Sequence, residues 1–501
     1  MASPLHLDPA VVEAAAIASV KLGLAHQKTF ATEPADARGD LTLSTTSPLV
    51  QASLAFDEPT APAHGADMTS LLSFLQTNLV GVASGFNANT DTFLAYVLGG
   101  VLPQANVLDF YINAVDPTTI AWSKAPLIQR LEMNVVHWFC DLVGYARESS
   151  LGIFTQGASG ANFDAAVIAR VKKFPRNRDI ALGTVYLSSG AHFCNARGAR
   201  MAGILPEHVR QLPVDATGRL RLDALAAALA ADVENGLVPF LMVASLGTTS
   251  LGAVDDLHGM ADLADAYGCH LHCDGALGGF FLLTERGKAS MDGVHRADSI
   301  SLDFHKGMAL PYATSMLLVK EKDDLINGFS ANDDMEYIKK TDKDVNSRFG
   351  IGTQDEFDLD LITFADCSPD LSRACKGLKV WWLLKLHGLD TWRAHFDHVL
   401  DVAAAARRDI AAIRGLELAP GDLNVVNFRA SVPGDADTVN AATDALLAAV
   451  NARRAVFLSM ATYTTADGVK YATARACFMN HNVTLATVQT LVDELRAVVH
   501  P

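Results

Sequence analysis

Short apolar runs and stretches with helical spacing alternate along the middle of the chain. The runs lie at 185–188, 240–245, 270–274, 299–303 and 315–319 and are rich in β-branched or other apolar residues. Between the second and third, Leu257, Met260, Ala261, Leu263 and Ala264 recur at helical intervals and Gly268 closes the segment. Strands alternating with helices predict an α/β sheet covered on both faces, in which ligands gather at the carboxyl ends of the strands. Residues just beyond each run are therefore where chemistry is expected.

The flanks read differently. Residues 1–85 are Ala-rich, with helical periodicity at Val11, Ala15 and Val20, then turn Pro-, Thr- and Ser-rich from 32 to 65. This predicts an arm that lies on another surface rather than a domain with its own core. Residues 323–365 are dense in Asp, Lys and Asn, the composition of a surface loop region able to act as a lid. Beyond 378, helical segments, strand-like runs at 425–429 and 474–479 and a final helix over 485–498 predict a small α+β domain. The expected division is an arm at 1–85, a large domain at 86–390 and a small domain at 391–501.

At 501 residues, 50% hydrophobic and 19% charged, the chain has ample material for a large core, which excludes a disordered or fibrous protein. Lys and Arg minus Asp and Glu is 40 − 56 = −16. That balance repels phosphate backbones and anionic membrane surfaces, so neither nucleic acid nor membrane is an expected partner. No apolar run reaches the ~18 residues of a membrane span, and the N-terminus lacks the basic start of a secretory signal. Seven cysteines, an odd number without framework spacing, read as reduced thiols. The expected location is the cytoplasm.

Several motifs follow the predicted strands. Phe154-Thr155-Gln156-Gly157-Ala158-Ser159-Gly160-Ala161-Asn162 is a small-residue turn opening into a helical stretch over 163–171. Such a turn lets helix N-terminal N–H groups approach a phosphate, and Ser159 adds a hydroxyl; tight helix packing is the plainer reading. No Gly-Lys-Ser/Thr follows, and Ala161 takes the last Gly position of a nucleophile elbow, so neither chemistry applies. In the run 270–274, His270, His272 and Asp274 share one face. Either the histidines ligate a metal, or Asp274 alone serves as a strand-end carboxylate awaiting a cation. Gly275, Ala276, Gly278 and Gly279 leave room for a flat ligand and favour the second reading. Lys306, before Gly307 and Pro311, is either a surface lysine or a desolvated nucleophilic amine. His192 is either structural or a flat imidazole beside an aromatic cofactor. Arg373 is either an exposed helix-start residue or a bidentate grip for a carboxylate. A phosphate cradle, a strand-end carboxylate, a stacking imidazole and an amine together are what pyridoxal 5'-phosphate requires.

In order and spacing these motifs resemble the pyridoxal-phosphate-dependent group II amino-acid decarboxylases, the family of aromatic-amino-acid, glutamate, histidine and diaminobutyrate decarboxylases. The likeness runs over 93–482. It is strongest in Ala244-Ser245-Leu246-Gly247-Thr248-Thr249 through Asp255-Asp256, in His272-Cys273-Asp274-Gly275-Ala276 and over 298–306. Weaker support comes from Trp122-Ser123-Lys124-Ala125-Pro126, Leu131-Glu132 and 373–381. The resemblance implies a fold-type I, aspartate aminotransferase-like α/β enzyme with a large mixed sheet, an N-terminal arm and a small α+β domain. It implies that Lys306 forms the internal aldimine, with His305 beside it near the phosphate. Asp274 pairs with the pyridine nitrogen, Ala276 contacts the ring and His192 stacks on it. Gly157, Ala158 and Ser159 hold the phosphate, and Thr249 lies near the ring oxygen or Asp274. Arg373 is identified with the arginine that approaches the substrate carboxylate, and Tyr337 with the mobile-loop tyrosine that protonates the α-carbon. Phe93, with Tyr96, Leu98 and Phe193, points to an aromatic or apolar substrate group. A homodimer with sites at the subunit interface is also implied.

Departures from the family pattern are specific. Phe193-Cys194 stands where small hydroxyl residues commonly follow the histidine, and Gly307-Met308 replaces the bulky aromatic after the lysine. Asp303 stands where Asn or Gly is usual, which puts a carboxylate near the phosphate. The expected reaction is decarboxylation of an L-amino acid, aromatic first and acidic or diamino second, through an external aldimine and a quinonoid, with Tyr337 or His192 returning the proton. Decarboxylation with oxidative deamination to an aldehyde is the rival. A metal-dependent hydrolase using His270, His272 and Asp274 is the remote alternative.

Overall fold

Strands buried on two faces need apolar or β-branched residues at every position, and the central runs supply them. The computed structural model describes residues 8–32, 61, 65–78, 90–120, 124–330, 364–465 and 468–500. Its larger sheet is built from β1 (Leu151–Thr155), β2 (Gly183–Ser188), β3 (Val209–Leu212), β4 (Val238–Ser245), β5 (His270–Asp274), β6 (Ser299–Asp303) and β7 (Ser315–Val319). The order is β1-β7-β6-β5-β4-β2-β3. Strands β3, β2, β4, β5 and β6 run parallel, and β7 enters antiparallel to both β6 and β1. All residues of β1, β2, β5, β6 and β7 are buried. The parallel strands therefore deliver their carboxyl ends to one edge.

The last three predicted runs coincide with β5, β6 and β7, while β2 and β4 begin two residues earlier than expected. Two strands lie outside the expected runs. β1 directly precedes the small-residue turn, whose special composition masks the short apolar run before it. β3 is an edge strand, and its Arg210 and Gln211 are tolerated because a neighbour covers only one side. The helix Ala158–Lys173 lies across β1, β4, β5, β6 and β7.

A second sheet is antiparallel, with β8 (Leu416–Ala419), β9 (Val425–Ala430), β10 (Ser459–Thr464) and β11 (Lys470–Cys477) in the order β10-β11-β9-β8. The helix Ala436–Ala452 packs on it, and the helix Leu485–Val499 packs on that helix and on Gly377–Ala411. The helix Gly377–Ala411 joins the two sheets and breaks at Gly388, whose φ of 73° and ψ of 158° are non-helical. Phe280 stacks on Phe396 of that helix, and Phe428 and Phe478 belong to the same apolar cluster, so the two sheets share one core. Helices Pro9–Thr32 and Met68–Asn78 touch each other and leave Val11, Ile17, Val20, Leu71 and Phe74 exposed. All seven cysteines are buried thiols. Among the described residues no helix is long and apolar enough to cross a membrane.

One buried ion pair ties the start of the long helix to the helix Pro126–Val143. Arg373 Nη2 lies 2.6 Å from Glu132 Oε1, Nη1 donates to Thr119 Oγ1 at 3.3 Å, and the guanidinium sits 4.2 Å from the Phe364 ring centre. The side chains are 3% and 0% exposed. Removing one partner leaves the other charge buried and unpaired, so Glu132→Ala is expected to destabilise the fold by about 3–5 kcal/mol. The check is the denaturant midpoint, and a loss under ~1 kcal/mol, the range of an exposed pair, would contradict a structural role.

Candidate active site

Lys306 is held by its turn. β6 ends at Asp303 and a single helical turn, Phe304–Gly307, follows. Phe304 is fully buried and meets the rings of Phe139, Phe154 and Phe280 at 5.0, 5.6 and 5.0 Å, which anchors the turn from below. From the other side Gly99 presses so close that a Cβ there would lie 2.0 Å from the Lys306 carbonyl oxygen. A Cβ on Gly307 would lie 2.4 Å from the Phe280 ring. Phe280 thus fills space next to the lysine, where the resemblance leads one to expect an aromatic from the following residue. Lys306 Nζ forms an ion pair with Asp303 Oδ2 at 2.6 Å.

Asp274, at the end of β5, is 7% exposed and held mainly through one oxygen. Its Oδ2 accepts from Asn162 Nδ2 at 2.9 Å and Asn195 Nδ2 at 2.8 Å. Oδ1 has longer contacts, 3.2 Å from the Ala276 N–H and 3.5 Å from the Ser301 hydroxyl. Oδ2 is therefore saturated and Oδ1 retains accepting capacity. Behind this clamp runs a buried chain of polar groups. Asn162 Oδ1 meets His272 Nε2 at 3.0 Å, His272 Nδ1 meets Ser299 Oγ at 2.8 Å, and the same hydroxyl meets His270 Nε2 at 2.8 Å. Since Asn162 donates to Asp274, its carbonyl accepts from His272 Nε2–H, and Ser299 then donates to Nδ1 and accepts from His270. Burial lowers both imidazole pKa values, so both rings are neutral. The strand histidines belong to a hydrogen-bond chain that orients Asn162.

Gly157, with a positive φ of 85°, turns the chain from β1 into the helix Ala158–Lys173. The first N–H groups of a helix have no partner within it, and Gly157, Ala158 and Ser159 line the cavity at this helix start. One of them is already engaged: Ala158 N–H donates to Asp303 Oδ1 at 2.7 Å. The same oxygen accepts from the Ser315 hydroxyl and lies 3.6 Å from His305 Nδ1. Asp303 is 2% exposed.

His192 caps the helix Phe193–Met201, its Nδ1 accepting from Cys194 N–H at 3.3 Å. The ring proton therefore sits on Nε2. Burial lowers this imidazole's pKa as well. Beyond β4, Asp255 reaches back to accept from Ser245 N–H at 2.8 Å and Leu220 N–H at 2.7 Å, and burial pushes its carboxyl up to about 6. This pins the turn carrying Thr248 and Thr249.

One cavity gathers these pieces. It is lined by Gly157, Ala158 and Ser159, by His192 and Cys194, by Ser245, Gly247, Thr248 and Thr249, by Asp274, Ala276 and Leu277, by Asp303, His305 and Lys306, and by Val97. Every cofactor-binding residue expected from the sequence is there. Arg373 is not among the lining residues, because its guanidinium is committed to Glu132. Phe93 is buried against Phe457 at 5.3 Å, and Val97 of the same segment lines the cavity in its place. Tyr337 and most of the 323–365 stretch lie outside the described residues. A buried amine, Lys376, pushed down to about 8 by burial, donates to Thr155 O at 2.8 Å and does not line the cavity. The sequence reading missed Asn162 and Asn195. Asn162 was legible as a helix position one turn beyond Ala158, whereas nothing in the sequence marks Asn195.

A model of the pyridoxal-dependent decarboxylase conserved domain matches residues 52–430. An aromatic-L-amino-acid decarboxylase of Bacillus atrophaeus is 29% identical over 440 residues, 87% of this chain and 86% of that protein. A phenylacetaldehyde synthase of Arabidopsis thaliana is 28% identical over 350 residues, 68% of each chain. The crystal structure of Catharanthus roseus tryptophan decarboxylase in complex with L-tryptophan matches with a TM-score of 0.84 at 20% identity, covering 99% of both chains, which shows a shared fold. With the domain match spanning most of the sequence, the chain belongs to the pyridoxal-dependent decarboxylase family.

Proposed function

We propose that this enzyme removes the α-carboxylate of an aromatic L-amino acid and releases CO₂ and the amine. The observation that carries the reading is the convergence on one cavity of the Lys306 amine, the doubly clamped Asp274 and the helix N-terminus at Ala158 and Ser159. These residues fit pyridoxal phosphate: the helix end suits its phosphate, Asp274 Oδ1 suits its ring N–H, and Lys306 suits its aldehyde. When bound, the cofactor supplies a protonated pyridine ring that takes up the electrons released as CO₂ departs.

The chain's own residues do the rest. Lys306 Nζ anchors the cofactor at its carbonyl carbon. Asp274, kept in place by two amides, holds the proton on the ring nitrogen, and the His270-Ser299-His272-Asn162 chain keeps Asn162 turned to donate. His192 carries a proton at Nε2 for return to the substrate's α-carbon, with Tyr337 as the second donor. Val97 and Leu277 contribute apolar lining to the cavity. The aromatic preference is supported by the names of the two relatives and by Phe193, an exposed ring 4.4 Å from that of His192.

The same proposal makes the enzyme a cytoplasmic homodimer with shared sites. The exposed apolar residues Val107, Phe110, Tyr111 and Val115 on the helix Val107–Val115, with Leu127 nearby in sequence, support a subunit contact, and seven buried thiols without a disulfide among them suit a reducing compartment.

A relative named for an aldehyde product favours a second reading, in which the amine carbon is oxidised after CO₂ is lost. Assay of aromatic L-amino acids in air separates the two. Equimolar CO₂ and amine without peroxide is expected, and aldehyde with ammonia and peroxide would overturn the proposal. The neutral His192 generates a second prediction. As pH falls, its imidazole protonates below the ordinary value of about 6.5, which breaks the Cys194 N–H contact; kcat/KM should fall along an acid limb with its midpoint below that value. In His192→Gln the limb should flatten, and an unchanged limb would assign it to another group.

A further inference from the structure

Asp303 puts a carboxylate against the very donors that would serve an anion at the start of the helix Ala158–Lys173. Its Oδ1 takes the Ala158 N–H and the Ser315 hydroxyl, and its Oδ2 takes the Lys306 ammonium. The first and last of these are groups the cofactor itself calls upon, one for its phosphate and one for its aldehyde. The carboxylate has little room to retreat. It is 2% exposed, and β6 and β7 pair Asp303 directly with Ser315, which keeps the hydroxyl in contact. Resting on the reading of Gly157, Ala158 and Ser159 as the phosphate cradle, we propose that Asp303 is a resident anion in that cradle, competing with the cofactor's phosphate and setting how readily this chain takes up and gives back its cofactor.

Two anions sharing one donor set repel, and the repulsion is relieved when they share a proton. Among the described residues, the charged or titratable groups that act on Asp303 are Lys306 and His305 from its own turn and His192 across the cavity. β7 supplies only the Ser315 hydroxyl, and the helix Ala158–Lys173 only a backbone N–H. The amine that pairs with Asp303 and the N–H that it accepts from are the same groups that the cofactor would call upon, so cofactor binding has to displace contacts this carboxylate already makes.

The test is a titration of cofactor-free protein with pyridoxal phosphate and with pyridoxal, which lacks the phosphate, followed by protein fluorescence. The ratio of the two affinities cancels effects on the lysine and isolates the phosphate. Asp303→Asn keeps an acceptor for Ala158 N–H and Ser315 while removing the charge, and it should raise the preference for pyridoxal phosphate over pyridoxal about tenfold or more. A Ser159→Asp variant, which adds a carboxylate to the same helix end, separates the possible failures. If it weakens pyridoxal phosphate alone while Asp303→Asn changes nothing, the cradle stands and the proposal falls. If neither variant alters the ratio, the cradle reading falls with it. An equal gain for both ligands in Asp303→Asn would make Asp303 a restraint on Lys306 only and would also overturn the proposal.

Discussion

The grip of two amides on one oxygen of Asp274 is the constraint around which the site is arranged. Asn162 comes from the helix after β1 and Asn195 from the helix after β2, whereas Asp274 ends β5. Three separate connections must therefore close on one carboxylate. Once they do, their other residues have little freedom: Ala158 and Ser159 lie one turn before Asn162, and His192 lies one turn before Asn195. A buried carboxylate without donors would gain a proton. With Oδ2 saturated by amide N–H groups, Oδ1 is the oxygen left to accept from a ligand in the cavity.

The sheet was legible because parallel strands buried on both faces leave a strong trace, an apolar run followed by small or polar residues. That trace located β5, β6 and β7 to the residue and identified the strand ends where Lys306, Asp274 and His192 stand. It failed at β1, hidden by the turn beyond it, and at β3, whose edge position relaxes the pattern. The site was less legible where it depends on distant pairing. Arg373 looks like a carboxylate binder in isolation, and only the fold reveals Glu132 beside it. The histidine pair on β5 has the alternation of metal ligands, but Ser299 from β6 and Asn162 from a third element absorb both rings into one chain.

Asp303 shows a different relation between sequence and structure. As a residue type it was conspicuous from the start, and the fold makes the conflict concrete by giving it the N–H at the head of the helix Ala158–Lys173. Local rules are most often broken at functional sites, and here a carboxylate has been placed where a neutral side chain would create no repulsion. The same residue pairs with Lys306, so charge in the cradle and charge on the amine are linked.

The central claim is that Lys306, rather than any other amine, holds the cofactor. Its nearest rival is Lys376, a buried amine tied to the last residue of β1 and pushed down to about 8. Borohydride reduction of the cofactor-loaded enzyme followed by peptide mapping decides between them. The account predicts the cofactor's mass on the peptide containing Lys306 and on no other; its appearance on Lys376, or on no lysine, would contradict it.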